Sequence, residues 1–121
     1  MKNKILIIED DDLNMRLMND LLQAHGFEIF ESKDGCKVIE LVRLNRPNLI
    51  IMDILLPGIS GLELLKRLRA DEGVKNVPVL VVTALALSGE KKLIRECGCD
   101  EYISKPISIS HFLKTVTYLV N

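Results

Sequence analysis

The chain has 121 residues, of which 48% are hydrophobic and 27% charged, and its formal net charge is −1. These values are typical of one folded globular domain that needs neither a disulfide nor a structural metal, and the near-neutral charge argues against binding to nucleic acid. The sequence contains no run of 18 apolar residues and no signal-peptide pattern, so we expect a cytoplasmic protein without membrane insertion.

Short apolar runs, which predict strands, alternate with segments of helical periodicity. Phe27–Glu31 alternates apolar and charged residues, as an exposed edge strand does, whereas Leu49–Met52 is apolar on both faces, as a central parallel strand is. The five predicted strands are Lys4–Ile8, Phe27–Glu31, Leu49–Met52, Pro78–Thr83 and Glu101–Ile103.

Polar capping residues predict where five helices begin. Asp12 is expected to cap the first helix, which runs to about His25 before Gly26, and Asp34 to start the second, which ends before Pro47. Ser60 and Glu63 have the form of a capping box for a third helix, which runs to about Ala70. Ser88 is expected to cap a fourth helix to about Cys97, and Ser108 or Ser110 the last one. The helical residues expected to face inward are Met15, Met18, Leu22, Val38, Leu41, Val42, Leu65, Leu68, Ile109, Phe112, Val116 and Leu119 or Val120.

Five strand-helix alternations predict an α/β fold, a doubly wound five-stranded parallel sheet flanked by five helices. Residues 1–121 are expected to form one domain. The sequence ends at Asn121, directly after the last predicted helix, so we expect output through protein binding rather than through an attached effector domain.

Acids, a hydroxyl and an amine follow four of the predicted strands. In an open parallel sheet these strand ends share the carboxyl edge, where ligands bind. The first strand is followed by Glu9, Asp10, Asp11 and Asp12; the third by Asp53; the fourth ends at Thr83; and the fifth is followed by Ser104, Lys105 and Pro106.

Converging carboxylates repel one another unless a cation lies between them, and Mg²⁺ prefers carboxylate and phosphate oxygens. Asp53 is then a candidate nucleophile that forms an acyl phosphate. Mg²⁺, the Thr83 hydroxyl and the Lys105 ammonium can each hold one terminal phosphoryl oxygen. Each feature also has an ordinary structural interpretation: Asp11 and Asp12 as helix caps, Thr83 as a β-former and Lys105 as a solvated surface residue. Asp53 stands between apolar residues and needs a partner if it is buried.

The motifs together resemble the receiver domain of bacterial two-component response regulators. The stretches that carry the resemblance are Ile8-Glu9-Asp10, Met52 through Gly61, Val82-Thr83-Ala84 and Lys105-Pro106, and they span the whole chain. Glu-Asp-Asp-Asp-Leu-Asn-Met and Tyr-Ile-Ser-Lys-Pro-Ile-Ser further resemble single-domain cell-cycle regulators of alphaproteobacteria. This resemblance implies a switch in cell-division control that is phosphorylated by a sensor histidine kinase or histidine phosphotransferase and catalyses only its own phosphorylation and dephosphorylation.

The resemblance also implies a role for each motif residue around Mg²⁺, for which Mn²⁺ can substitute. Asp53 is the phosphoacceptor, Asp10 and Asp53 are direct metal ligands, the backbone carbonyl of Leu55 is a third ligand, and Glu9 acts through a metal-bound water. Many members have Asp where this chain has Glu9.

The same resemblance implies that two residues, a switch pair, change position on phosphorylation. Thr83 is the switch hydroxyl and Tyr102 the switch aromatic, Lys105 pairs with a phosphoryl oxygen, and the bond preceding Pro106 is expected to be cis. The output face combines the fourth predicted helix, the fifth strand and the last helix, and we expect it to include Leu85, Leu87, Lys91, Tyr102, His111 and Tyr118. Apolar Leu55 and Leu85, two residues after the acceptor and after Thr83, lead us to expect slow unassisted dephosphorylation.

Other interpretations remain open at this stage. A phosphatase of the haloacid dehalogenase type also uses a strand-end Asp, but its Asp-x-Asp motif would need Asp where this chain has Leu55. A flavodoxin-type flavin site disagrees with four acids after the first strand, which would repel a phosphate. A receiver-like interaction protein that is never phosphorylated is a third alternative. Zinc is not expected, because the three cysteines, Cys36, Cys97 and Cys99, lack ligand spacing and are interpreted as small apolar fillers.

Overall fold

The computed structural model describes residues 3–84, 96 and 98–121. Five strands form one sheet in the order β2-β1-β3-β4-β5, and all four neighbouring pairs are parallel. The predicted doubly wound parallel sheet is therefore confirmed. The strands are β1 (Lys4–Ile8), β2 (Glu28–Ser32), β3 (Leu49–Met52), β4 (Val79–Thr83) and β5 (Glu101–Ser104).

Four helices lie within the described residues: α1 (Asp12–Ala24), α2 (Val38–Asn45), α3 (Gly61–Ala70) and α4 (Ile109–Val120). None of them is long and apolar enough to span a membrane. The fourth predicted helix, from Ser88 to about Cys97, falls almost wholly outside the described residues.

The core consists of two apolar clusters, one on each face of the sheet. Successive side chains of a strand point to opposite faces, so Ile5 and Ile7 of β1 belong to one cluster and Leu6 and Ile8 to the other. The first cluster includes residues of α1 and α4, and the second includes residues of α2 and α3. β1 and β3 are buried on both faces, which explains why their sequences are continuously apolar.

Local hydrogen bonds determine where the helices begin and end. Asp11, and not Asp12 as predicted, caps α1, because its Oδ1 accepts hydrogen bonds from the N–H groups of Leu13 (2.9 Å) and Asn14 (3.4 Å). Gly26 follows with φ 87°, a left-handed conformation that a side chain would strain. The Ser60 cap of α3 is confirmed, since its Oγ accepts a hydrogen bond from the Glu63 N–H at 3.2 Å.

The starts of one helix and of two strands differ from the prediction. α2 begins at Val38 and not at Asp34, because the Asp34 carboxylate accepts a hydrogen bond from the Cys36 N–H at 2.9 Å and closes a turn instead of capping a helix. β2 begins at Glu28, one residue later than predicted, and it is the edge strand that its pattern indicated. β4 begins at Val79, after Pro78.

Most of the predicted inward residues are buried, but two predictions were wrong. Phe112 and Val116 are fully buried, whereas Ile109, the first residue of α4, is 50% exposed. Cys36 is exposed, because the turn that precedes α2 carries it to the surface, while Cys99 is partly buried against the core. Cys97 lies outside the described residues.

Candidate functional site

The site lies at the carboxyl edge of the sheet, where β1 and β3 are neighbours. The chain leaves β1 toward edge strand β2 and leaves β3 toward β4, so this pair is the point at which the strand order reverses. Ligands of open parallel sheets bind in the crevice outside such a pair. Glu9 and Asp10 directly follow β1, and Asp53 directly follows β3.

Backbone hydrogen bonds tie the residue that follows each of β1, β3 and β5 to the last residue of a neighbouring strand in the sheet. The N–H of Asp53 donates to the Ile8 carbonyl at 3.1 Å, and the N–H of Glu9 donates to the Ser32 carbonyl at 3.0 Å. On the other side of the site, the N–H of Lys105 donates to the Thr83 carbonyl at 2.9 Å. The side chains therefore project from backbone that the sheet itself holds in place.

The Lys105 ammonium joins the two buried carboxylates of the site. Its Nζ lies 2.7 Å from Asp53 Oδ2 and 2.5 Å from Glu9 Oε1. Glu9 is 1% exposed and Asp53 6% exposed, so both charges need this partner. The expectation that a buried Asp53 would have a partner is met by a residue 52 positions later in the chain.

The second oxygen of each buried carboxylate accepts a hydrogen bond from the backbone. Asp53 Oδ1 accepts the N–H of Leu55 at 3.0 Å, and Glu9 Oε2 accepts the N–H of Asp11 at 3.3 Å. The Leu55 backbone is therefore beside the Asp53 carboxylate, while its side chain is 53% exposed. Its carbonyl as a metal ligand stays a prediction.

Glu9, Asp10 and Asp53 together offer three carboxylate oxygens that lie within 4.8 Å of one another. Asp10 is exposed, so the group opens to solvent on one side. Hard oxygen donors at this spacing suit Mg²⁺, which binds through a few carboxylates and keeps several waters. The residues thus fit the predicted ion in donor chemistry and in access.

The remaining acids after β1 have other partners. Asp11 caps α1. Asp12 forms an ion pair with Lys33, whose Nζ lies 2.7 Å from Asp12 Oδ1, and this contact raises the pKa of Lys33. Only Glu9 and Asp10, of the four consecutive acids, join the carboxylate group around Asp53.

Burial and charge shift two pKa values in the site. Burial raises the pKa of Glu9, and the nearby Asp53 adds to this, although Lys105 opposes it. Burial by itself lowers the pKa of Lys105, but the hydrogen bonds to Asp53 and Glu9 outweigh it, so the pKa of this ammonium lies above its usual value. Lys105 therefore carries its charge throughout the neutral range.

Thr83 lies on β4, the strand next to β3, and Tyr102 lies on β5, the edge strand beyond it. Thr83 is the last residue of β4 and is 1% exposed. Tyr102 is in β5, pairs with Val81 in register and is partly buried against the α2/α3 face of the core. The Lys105–Pro106 peptide bond is cis. Motion of the switch pair stays a prediction.

Part of the predicted output face can be located. His111 and Tyr118 of α4 line a groove of about 350 Å³ with Glu101 of β5, and Tyr118 is 78% exposed. Leu85, Leu87 and Lys91 lie outside the described residues.

Sequence reasoning missed Gly61, which the site requires. A Cβ at this position would lie 2.6 Å from the Asp53 carbonyl oxygen and 2.6 Å from Ile54 Cα. The residue after the Ser60 cap was interpreted only as a helix start. The motif contained the glycine, but the close approach depends on how α3 packs on the loop after β3.

Comparisons with known proteins agree with this geometry. The model of the response regulator receiver domain family matches residues 5–117. The polar-differentiation response regulator DivK of Brucella anthropi is 45% identical over 116 residues, which cover 96% of this chain and 94% of that protein.

Solved structures share the fold over nearly the full length. A putative response regulator from Chloroflexus aurantiacus has a TM-score of 0.94 at 29% identity, covering 99% of this chain and 98% of that one. The receiver domain of a sensor histidine kinase from Pseudomonas aeruginosa has a TM-score of 0.90 at 25% identity with the same coverage, and its structure has a magnesium ion coordinated in the active site cleft.

Proposed function

The chain belongs to the response regulator receiver domain family, and from that premise we propose that it is a phosphorylation switch that takes a phosphoryl group onto Asp53 in a Mg²⁺-dependent reaction. The observation that carries the proposal is the position of Asp53. Its carboxylate is buried, is bonded to Lys105 at 2.7 Å, and lies in one group with two further acids.

Asp10 and Asp53 are the side chains that would hold Mg²⁺ directly, together with the Leu55 carbonyl, and Glu9 would act through a metal-bound water. When bound there, Mg²⁺ supplies charge neutralisation for the carboxylates and for the incoming phosphoryl oxygens. The chain's own residues provide the remaining parts of the reaction.

Asp53 acts as the nucleophile toward a phosphohistidine. As the bond from its carboxylate oxygen to phosphorus forms, the phosphorus–nitrogen bond breaks and its electron pair leaves with the imidazole. The Lys105 ammonium pairs with a phosphoryl oxygen, and the Thr83 hydroxyl donates to another. Hydrolysis of the acyl phosphate then restores the carboxylate, so the protein processes only its own phosphoryl group and no separate substrate.

The donor is a sensor histidine kinase or a histidine phosphotransferase, since the nucleophile is a carboxylate that requires an activated phosphoryl group. The similarity to DivK favours a role in polar differentiation or the cell cycle. Output runs through phosphorylation-dependent binding of a protein on the face that includes Tyr102, His111 and Tyr118. Residues 1–121 act as one receiver domain in this proposal.

Acetyl phosphate with Mg²⁺ tests the function directly. Intact-mass spectrometry should detect one added phosphoryl group on the wild-type chain, and none on Asp53→Asn or in EDTA. Equal labelling of Asp53→Asn would contradict the assignment of the acceptor. Turnover of small phosphate esters such as p-nitrophenyl phosphate would instead favour a phosphatase of the haloacid dehalogenase type.

A further inference from the structure

Two cavities lie end to end along one side of α2. The first, of about 230 Å³, is beside the start of the helix, and the second, of about 400 Å³, is beside its end. Arg43 lines both of them. Residues three or four apart share a helix face, so Ile39, Arg43 and Arg46 form one row along this side of α2. The two cavities together are the α2 groove, and its opposite wall consists of α3 and the loops on either side of α3.

Four cations and two acids line the α2 groove. These charged residues are Arg43, Arg46, Arg67, Lys75, Glu40 and Glu72. The chain as a whole has a net charge of −1, so this positive excess is local. A local excess of this kind attracts an anionic group to the groove rather than to the protein surface in general.

Arg43 and Arg46 present their charges in different ways. Arg43 pairs with Asp71, whose side chain is 14% exposed and also accepts the Gly73 N–H at 2.9 Å, so the guanidinium is held where the two cavities meet. Arg46 is exposed and, among residues 3–84, 96 and 98–121, has no carboxylate at ion-pair distance. Its φ of 47° is a left-handed conformation that favours glycine, so the backbone does not require an arginine here. The charge of Arg46 is therefore available to a ligand.

The other two cations have partners that a ligand can replace. Arg67 pairs with Glu63 at 3.5 Å and Lys75 pairs with Glu72 at 2.9 Å, and the acid of each pair is at least half exposed. Exposed ion pairs of this kind contribute little to stability. A carboxylate from a bound partner can therefore take the place of either acid at small cost.

Apolar side chains lie beside these charges in both cavities. Ile39 and Ile59 line the first cavity, and the buried Val42 and Val74 line the second. The row from Ile39 to Arg46 spans roughly 10 Å, or about two helical turns. None of the residues that line the two cavities is aromatic, so a nucleobase would have nothing to stack on. The α2 groove suits a protein segment that combines apolar residues with acids.

We propose that the α2 groove binds an acidic amphipathic helix of a partner protein. Helices dock in such grooves through apolar residues at i, i+3, i+4 and i+7, and carboxylates along their flanks can pair with Arg43 and Arg46. None of the described residues of the output face lines the groove, so this partner is bound whether or not Asp53 is phosphorylated. The inference goes beyond the proposed function and does not depend on it.

Fluorescence anisotropy with a designed peptide tests the proposal. The probe is a labelled peptide of about 15 residues with leucines at i, i+3, i+4 and i+7 and glutamates at the flanking positions. A second peptide has lysines in place of the glutamates. The full chain should bind the glutamate peptide, more weakly as the NaCl concentration rises, and should not bind the lysine peptide. Absence of binding by the glutamate peptide, or equal binding of both peptides, would overturn the proposal.

Charge reversal on the two walls identifies the site. Arg46→Glu should weaken binding at least about tenfold, and Arg67→Glu, at the other end of the groove, at least about threefold. Lys66→Glu is the matched control, because it makes the same charge change at the exposed residue next to Arg67, which lines neither cavity. Its affinity should differ from wild type by less than about twofold. Equal weakening by Lys66→Glu and Arg46→Glu would show that only net charge matters and would contradict the proposal.

Amide chemical shifts locate the bound peptide independently. The shift changes should concentrate in α2 and in residues 71–77, whereas changes concentrated in β5 and α4 would mean that the peptide binds the output face instead. A wild-type dimer that Arg46→Glu dissociates in sedimentation would assign the groove to a second copy of the chain. Displacement of the peptide by millimolar inorganic phosphate would assign it to small anions. Each of these three results would overturn the proposal.

Labelling by acetyl phosphate separates this proposal from the proposed function. Arg46→Glu and Arg67→Glu should be labelled as wild type is, which also verifies that both variants are folded. If wild type binds the peptide but accepts no phosphoryl group, the proposed function fails and the α2 groove stands. If wild type is labelled but does not bind the peptide, only the groove proposal fails.

Discussion

Gly61, the first residue of α3, packs directly against the backbone that carries Asp53. Its N–H donates to the Ile54 carbonyl at 2.9 Å, and an added Cβ would lie 2.6 Å from the Asp53 carbonyl oxygen. The three atoms nearest to that Cβ all belong to the backbone of Asp53 and Ile54, which cannot rotate away as a flexible side chain does. The first turn of α3 can therefore pack this closely on the loop that carries Asp53 because residue 61 has no side chain.

Gly61→Ala should displace this loop. We expect a loss of about 1–3 kcal/mol in the free energy of unfolding, typical of overpacking, together with slower labelling by acetyl phosphate. Urea denaturation and intact-mass kinetics measure the two effects. Gly73→Ala is the matched control, since its Cβ would meet only Asp71 Oδ1 at 3.4 Å. Equal stability of the two variants would argue against the close approach.

Arg69 should be a main stabilising residue at the opposite end of the molecule. Its guanidinium donates to the carbonyls of Gly98 (2.8 Å), Lys75 (2.8 Å) and Val77 (2.6 Å) and to Asp100 Oδ2 (2.8 Å). Because its removal leaves several acceptors without this donor, Arg69→Leu should destabilise the protein by about 2–4 kcal/mol in urea denaturation.

The control for Arg69 is on the same helix. Arg67 has one ion pair with Glu63, at 3.5 Å, and both side chains are at least half exposed. Arg67→Leu should cost no more than about 0.5 kcal/mol. A similar loss in both variants would mean that the loss of charge, rather than the hydrogen-bond network, is responsible.

Leu55→Asn should shorten the lifetime of the acyl phosphate. Leu55 is 53% exposed and its N–H donates to the Asp53 carboxylate. In the proposed acyl phosphate its side chain would therefore lie near the phosphoryl group, and it has no atom that could orient water. An amide at this position can hydrogen-bond the attacking water, and we expect decay to accelerate severalfold. Decay is followed by mass after removal of acetyl phosphate. Leu55→Ala separates loss of bulk from gain of the amide; equal decay of Leu55→Asn and wild type would contradict the prediction.

The raised pKa of Glu9 predicts a pH dependence of stability in the metal-free protein. Burial makes the folded state bind the Glu9 proton more tightly than the unfolded state. The stabilising contribution is therefore present below the ordinary glutamate pKa of about 4.3 and is lost as the pH rises through the raised folded pKa. In EDTA, the stability of wild type relative to Glu9→Gln should fall as the pH rises from about 4 through the raised folded pKa. Parallel pH profiles in thermal denaturation would show that Glu9 does not contribute this dependence.

Much of the fold could be predicted because its signals are local. β1 and β3 were located to the residue, since a strand buried on both faces is a continuous apolar run bounded by polar residues. The errors are at ends, where one hydrogen bond decides between a cap and a turn. Asp11 in place of Asp12, and the late start of α2 at Val38, are both of this kind.

The residues at the strand ends were also predictable, because a parallel sheet must bring the carboxyl ends of its strands to one edge. From the sequence alone, we could predict that this edge brings together Glu9, Asp10, Asp53, Thr83 and Lys105, and the motifs were sufficient to identify the family. The sequence could not determine the distances among them. In the structure Lys105 bridges Glu9 and Asp53, while Asp11 and Asp12 have other partners. This arrangement depends on the strand order and on the hydrogen bonds that fix each loop. It also depends on burial, because the two buried carboxylates share the Lys105 ammonium. Local pattern determines which groups reach the edge, but contacts between loops depend on how the whole sheet and its helices pack.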